Sequence, residues 1–144
     1  MDINAVLEQM AELKIKIDEI LSASTYDEHA DLRGLHVDLG DSGQRFLLKE
    51  LRAIMRKLAD TGGSIEYLFR PVKEVGLLHR DKDGKYKTGQ GYSYRSGSLI
   101  EFLLQDDSGE VSCWVPTKVE HDGEDYYLVG YEDIPLEGLR VRVR

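Results

Sequence analysis

The chain has 144 residues, 41% of them hydrophobic and 32% charged, which suits one packed domain, or a small domain with a helical extension, and not a disordered chain. Its net charge is −8, with 8 basic against 13 acidic side chains over 1–69 and 11 against 14 over 70–144, which disfavours a protein that coats duplex DNA through a basic surface. The lone Cys113 excludes a disulfide framework or a Cys-rich zinc site, no apolar run nears the ~18 residues of a membrane span, and Met1-Asp2-Ile3-Asn4 is acidic where a signal peptide is basic, so a cytoplasmic protein with no membrane partner is expected.

The first element is a long amphipathic helix over about 2–24. Ile3, Val6, Met10, Leu13, Ile17 and Ile20 fall at a and d of three heptads, while Glu12 and Lys16 form an i,i+4 pair on the polar face. An isolated helix of this length is marginal in water, so the stripe needs a partner. That partner is either the next helix of the same chain or another chain, in self-association or in a complex. Residues 25–40 read as an irregular connection. A second helix starts at Asp41 or Ser42, either able to cap it, and carries Leu47, Leu51, Ile54 and Leu58 to about Asp60. Gly62-Gly63 is expected to stop it with a left-handed turn, leaving a short third helix over 65–69 before Pro71.

Beyond Pro71 the side-chain period changes from 3.6 to 2. Strands are expected over 72–80, 85–88, 92–95, 99–105, 111–119, 125–131 and 139–144, with hairpin chemistry at Asp81-Lys82-Asp83-Gly84 and Asp106-Asp107-Ser108-Gly109. Pro116 marks an edge or a bulge, because it cannot donate to a ladder. Short strands with turns every 8 to 12 residues indicate a small closed or partly closed barrel. The sequence thus predicts an α+β chain: a helical region over 1–69, built on an α-helical hairpin, then a β-barrel of five to six antiparallel strands over 70–144.

The C-terminal half also resembles a known family. Arg70-Pro71-Val72-Lys73, Gly76-Leu77-Leu78, Gly84-Lys85-Tyr86, Ser96-Gly97 before Ile100-Glu101, Tyr126-Tyr127-Leu128-Val129-Gly130-Tyr131 and the closing run 136–144 are similar to an uncharacterised domain family of Gram-positive bacteria, their phages and their conjugative elements. The resemblance covers about 66–144. It implies an SH3-like barrel, with Ile134-Pro135-Leu136-Glu137-Gly138 as the one-turn link before the last strand. It implies no activity.

The chemical motifs are sparse. His29, Asp31, His36 and Asp38 are the densest imidazole and carboxylate cluster, but they lack the spacing that sets two histidines on one helix face, so they read as solvated loop residues and no metal is expected. Asp81-Lys82-Asp83-Gly84 lacks the twelfth-position glutamate of a calcium loop, where Tyr92 stands. Gly89-Gln90-Gly91 lacks the rest of a dinucleotide fingerprint, so no cofactor is expected. Cys113 reads as a buried or half-buried strand thiol without a histidine in reach, and no catalytic residue is expected.

Two features read as binding surfaces. Arg80, Lys85, Lys87, Tyr92, Tyr94 and Arg95 interleave rings with cations, the two tyrosines sharing one strand face. That pattern serves single-stranded nucleic acid, each stacked base being worth ~1–3 kcal/mol, or a peptide. In the last strand, Arg140, Arg142 and Arg144 share the face opposite Val141 and Val143. These three arginines repel unless acids such as Glu101 or Glu110 oppose them, or a partner's acidic groups do. A non-enzymatic protein-interaction module is therefore expected, with an accessory or inhibitory role in a mobile element; a nucleic-acid-binding barrel is the alternative.

Overall fold

The computed structural model describes residues 1–26, 32–109 and 112–144. They form two compact units, Met1–Arg70 and Pro71–Arg144.

In the first unit, α1 spans Ile3–Ala23 and α2 spans Ser42–Phe69. Asp2 caps α1 by accepting from the Ala5 amide at 2.8 Å, and Asp41 caps α2 through the amides of Gly43 and Gln44, satisfying donors that have no partner within the helix. The helices pack on each other. Ile17, Met55, Gly62 and Ile65 are buried.

The expected stop at Gly62-Gly63 and the separate third helix are corrected: α2 runs unbroken to Phe69. Neither glycine has a positive φ. A Cβ at Gly62 would lie 3.3 Å from Cγ2 of Ile17, so glycine here permits a close helix crossing, at the usual cost in helix propensity. Ser64 does not cap a new helix; its hydroxyl donates to the Asp60 carbonyl inside the continuous one. The helix ends at Arg70, which Pro71 holds in an extended conformation.

The apolar stripe of α1 is thereby divided. Ile17 is only 1% exposed, Met10 and Ile20 are half-buried, and Ile3, Val6 and Leu13 remain exposed.

The second unit holds seven strands: β1 Glu74–Leu77, β2 His79–Arg80, β3 Tyr86–Lys87, β4 Leu99–Gln105, β5 Ser112–His121, β6 Tyr126–Leu128 and β7 Arg140–Val143. Five form an antiparallel sheet in the order β1-β7-β4-β5-β6, and β2 pairs with β3 in a hairpin. The ladder does not close on itself among the described residues, since no pairing joins β1 to β6. The expected strand 72–80 divides at Leu78. This residue is fully buried, and its amide bonds the Leu139 carbonyl at 2.9 Å.

At the β2–β3 turn Gly84 takes φ +81°, which lets its amide reach the Asp81 carbonyl. Pro116 lies where β5 has β4 as its only strand neighbour, β6 covering Val119–His121 alone, so its missing donor leaves no ladder bond unmade.

The core of this unit is Leu78, Tyr86, Tyr94, Ile100, Phe102, Val119, Leu128, Leu136 and Val141. Val141 and Val143 point inward, as strand alternation requires. Cys113 is a correction: it is exposed, near the β4–β5 turn.

Candidate functional site

The basic and aromatic face of the early strands is mostly engaged internally. Tyr94 is a core residue, 2% exposed, whereas Tyr92 is 44% exposed and rests edge-on against it, with ring centroids 4.9 Å apart. The expected pair of displayed rings is thus one ring seated on a buried one. The reason is that 92–95 follows a bend; its only bridge is Ser93 to Lys87, and the Tyr94 amide bonds the Tyr86 carbonyl, which turns that side chain inward.

Lys87 is paired with Asp81 and, at 3.4 Å, with Asp83. Its hydrogen bond to Asp81 raises the ammonium's pKa, and the same bond is the main reason the Asp81 carboxyl lies below its usual range. Arg80 lies 3.7 Å from Asp125. Lys85 sits in the turn with its amide on Asp83, and Arg95 is exposed.

Asp122, in the β5–β6 turn, also has a local role. Asp122 accepts from the amides of Glu124 and Asp125 at 2.8 and 2.9 Å, and these bonds, the Asp125 one foremost, lower its pKa. Among the described residues no three His, Cys, Asp or Glu side chains are grouped to hold a metal. Of the four residues singled out for one, His29 and Asp31 lie outside the described residues, as does Glu110.

The three arginines of β7 separate into two kinds. Arg142 stands opposite Glu101 in the β4–β7 register. The Glu101 carboxylate, 4% exposed, is ion-paired with Arg142 through one oxygen and accepts from Arg144 Nε at 2.9 Å through the other. Arg142 also lies over the Trp114 ring, 4.7 Å from its centroid. One carboxylate with two oxygens therefore absorbs two guanidinium groups.

Arg140 is the third. It stands beside Leu77 of β1, is exposed, and makes no ion pair with any described residue.

Arg140 borders a cleft of about 430 Å³ lined by Leu77, Leu103, Leu104, Ile134 and Leu139. The cleft exists because β4 and β7 fork. Their ladder holds Glu101↔Arg142 and Phe102↔Val141 and goes no further, while β4 continues against β5 to Gln105. The 134–139 link closes one side: Leu139 and Ile134 close successive turns by donating to Leu136 and Tyr131, and Gly138, at φ +74°, bonds the Leu78 carbonyl at 2.8 Å.

The apolar lining was not identified as a site from the sequence. Its signal is Phe102-Leu103-Leu104, three large apolar residues in a row on a strand, of which at least one must face away from the core.

Glu137 pins the link to β2. It accepts from the Arg80 amide at 2.8 Å and meets His79 Nδ1 at 3.1 Å. The Arg80 amide is the main cause, and His79 the second, of a carboxyl pKa below the usual value. A carboxyl whose pKa falls on folding stabilises the contact fully above its ordinary pKa, and that contribution disappears as the pH drops through the lowered value. The protection of the Arg80 amide, taken relative to its intrinsic exchange rate, is therefore expected to be high at neutral pH and to fall as Glu137 is protonated in acid, a fall that Glu137→Gln should abolish in a hydrogen-exchange NMR titration.

Residues 75–143 match the family model described as Domain of unknown function (DUF5348). No curated protein and no solved structure matches the chain. No helix among the described residues is long and apolar enough to cross a membrane.

Proposed function

We propose that the domain of unknown function matched by residues 75–143 serves in this chain as a non-enzymatic protein-interaction module. The observation that carries the reading is the cleft of about 430 Å³ at the β4–β7 fork, where the side chains of Leu77, Leu103, Leu104, Ile134 and Leu139 stand beside Gln105 and Arg140. A concave site that combines apolar side chains with a few polar groups is the usual form of a recognition pocket.

The open sheet, the covering hairpin and the turn link before β7 support an SH3-like small barrel left unclosed, a fold type that often serves recognition, though fold alone assigns no role. The resemblance to domains of Gram-positive bacteria and their mobile elements supports an accessory or inhibitory factor acting on cytoplasmic host machinery. Self-association through α1 is limited in this reading to the exposed Ile3, Val6 and Leu13.

Single-strand binding needs rings above a basic groove. Tyr92 is the one exposed ring of the expected pair, and Lys87 is already paired, so a protein partner fits better.

A photo-crosslinking amino acid at Leu77 checks this in extracts, beside mobility shifts with single-stranded oligonucleotides at low and high salt. The expected result is a discrete protein adduct and no shift. A shift that weakens steeply with salt, and weakens again in Tyr92→Ala, would replace the module with a nucleic-acid binder.

A further inference from the structure

We infer that the β4–β7 fork takes an extended peptide segment that places a large apolar side chain, aliphatic or aromatic, among the leucines of the cleft and a carboxylate on Arg140. The inference rests on the interaction-module reading and names the chemistry of its partner.

Three observations converge on it. The first is the charge left over on β7. Glu101 engages Arg142 and Arg144, and continuing the β4–β7 register by one residue brings Leu103, not an acid, towards Arg140. The acid in the adjoining link, Glu137, is already engaged by the Arg80 amide and His79. Among the described residues, Arg140 is the only ionisable group lining the cleft. A guanidinium that folding leaves unpaired beside apolar surface recognises a carboxylate in fork geometry.

The second observation is the lining. Leu77 is exposed, and Leu103, Leu104, Ile134 and Leu139 are half-buried, so a γ-branched or aromatic side chain entering the cleft buries apolar surface on both partners.

The third is the backbone. Over Leu103–Gln105, β4 has β5 as its only strand neighbour among the described residues, because the ladder to β7 ends at Phe102↔Val141. A strand with one open side accepts an added strand, whose alternate side chains then fall on one face. An aliphatic residue and an acid two positions apart in an extended segment fall on that face and can reach the cleft and Arg140 together.

Selection of a phage-displayed random octapeptide library on the full chain, in parallel with Arg140→Glu, tests this. Arg140 is exposed, so the variant should keep its fold, which circular dichroism checks. The wild type is expected to enrich sequences combining Leu, Ile or Phe with Asp or Glu, and Arg140→Glu to enrich sequences with Lys or Arg in the acid's place.

A selected peptide, made synthetically with a fluorescein label, should bind Arg140→Ala about fivefold more weakly, the size of one partly screened charge pair, and should not bind Leu77→Asp. If both proteins enrich the same sequences, or the wild type enriches peptides without acids, the inference is overturned and the module reading stands. If neither protein enriches any sequence, both fall.

Discussion

Glu101→Ala is expected to cost the β unit about 3 kcal/mol, the low end of what removing one partner of a buried ion pair costs. The low end applies because Arg142 and Arg144 keep 24% and 14% of their side chains exposed, so water can reach both once the carboxylate is gone. The chain's one tryptophan, Trp114, lies under Arg142, so its fluorescence should report the unfolding directly in a guanidinium titration.

Replacing Glu101, Arg142 and Arg144 together by methionine should recover most of the loss, since the desolvation of three charges disappears with the attraction between them. Arg140→Ala should shift stability by no more than about 0.5 kcal/mol, as for a surface substitution away from special features. A fall of less than about 1 kcal/mol in Glu101→Ala would mean that Glu101 does not hold the pair of arginines. In that case Arg140 would lose its distinction from its two neighbours.

That distinction shows what the sequence makes legible and what it does not. Strand alternation is enough to put Val141 and Val143 in the core and the three arginines opposite, and to offer Glu101, beside Glu110, as an opposing acid. It cannot say how many arginines one carboxylate serves, or that the ladder ends at Phe102↔Val141. Register is set by pairing across residues far apart in the chain, and a fork in a sheet leaves no local mark.

Tyr94 illustrates the same limit. Its two-residue spacing from Tyr92 suggests a strand, but 92–95 forms only the isolated bridge from Ser93 to Lys87, and the Tyr94 amide bonds the Tyr86 carbonyl across the bend, with the Tyr94 ring buried and the Tyr92 ring exposed. The start of α2 was legible because an acidic cap acts on the next three residues. Its end was not, because the meaning of Gly62-Gly63 depends on another helix.

Gly62 and Ile17 give the second large effect. Ile17→Glu sets a carboxylate at a site 1% exposed, against a glycine whose added Cβ would already touch Ile17 at 3.3 Å. The neighbouring Lys14 is already bound to Asp18 at 2.6 Å. An unpaired charge in such a site, together with the lost apolar burial, should cost about 4 kcal/mol, enough to collapse most of the helical signal at 222 nm. Ile3→Glu, at a position 75% exposed, should leave that signal unchanged.

The two adjacent glycines should then respond in opposite senses. Gly62→Val crowds the crossing and should destabilise by about 1–3 kcal/mol. Gly63→Ala points into open space from an ordinary helical backbone and should stabilise by about 0.5–1 kcal/mol. Thermal unfolding followed by circular dichroism separates the four variants. A dimeric wild type, with Ile17→Glu a soluble and fully helical monomer, would place the partner of α1 in a second chain and withdraw Gly62 as the seat of Ile17.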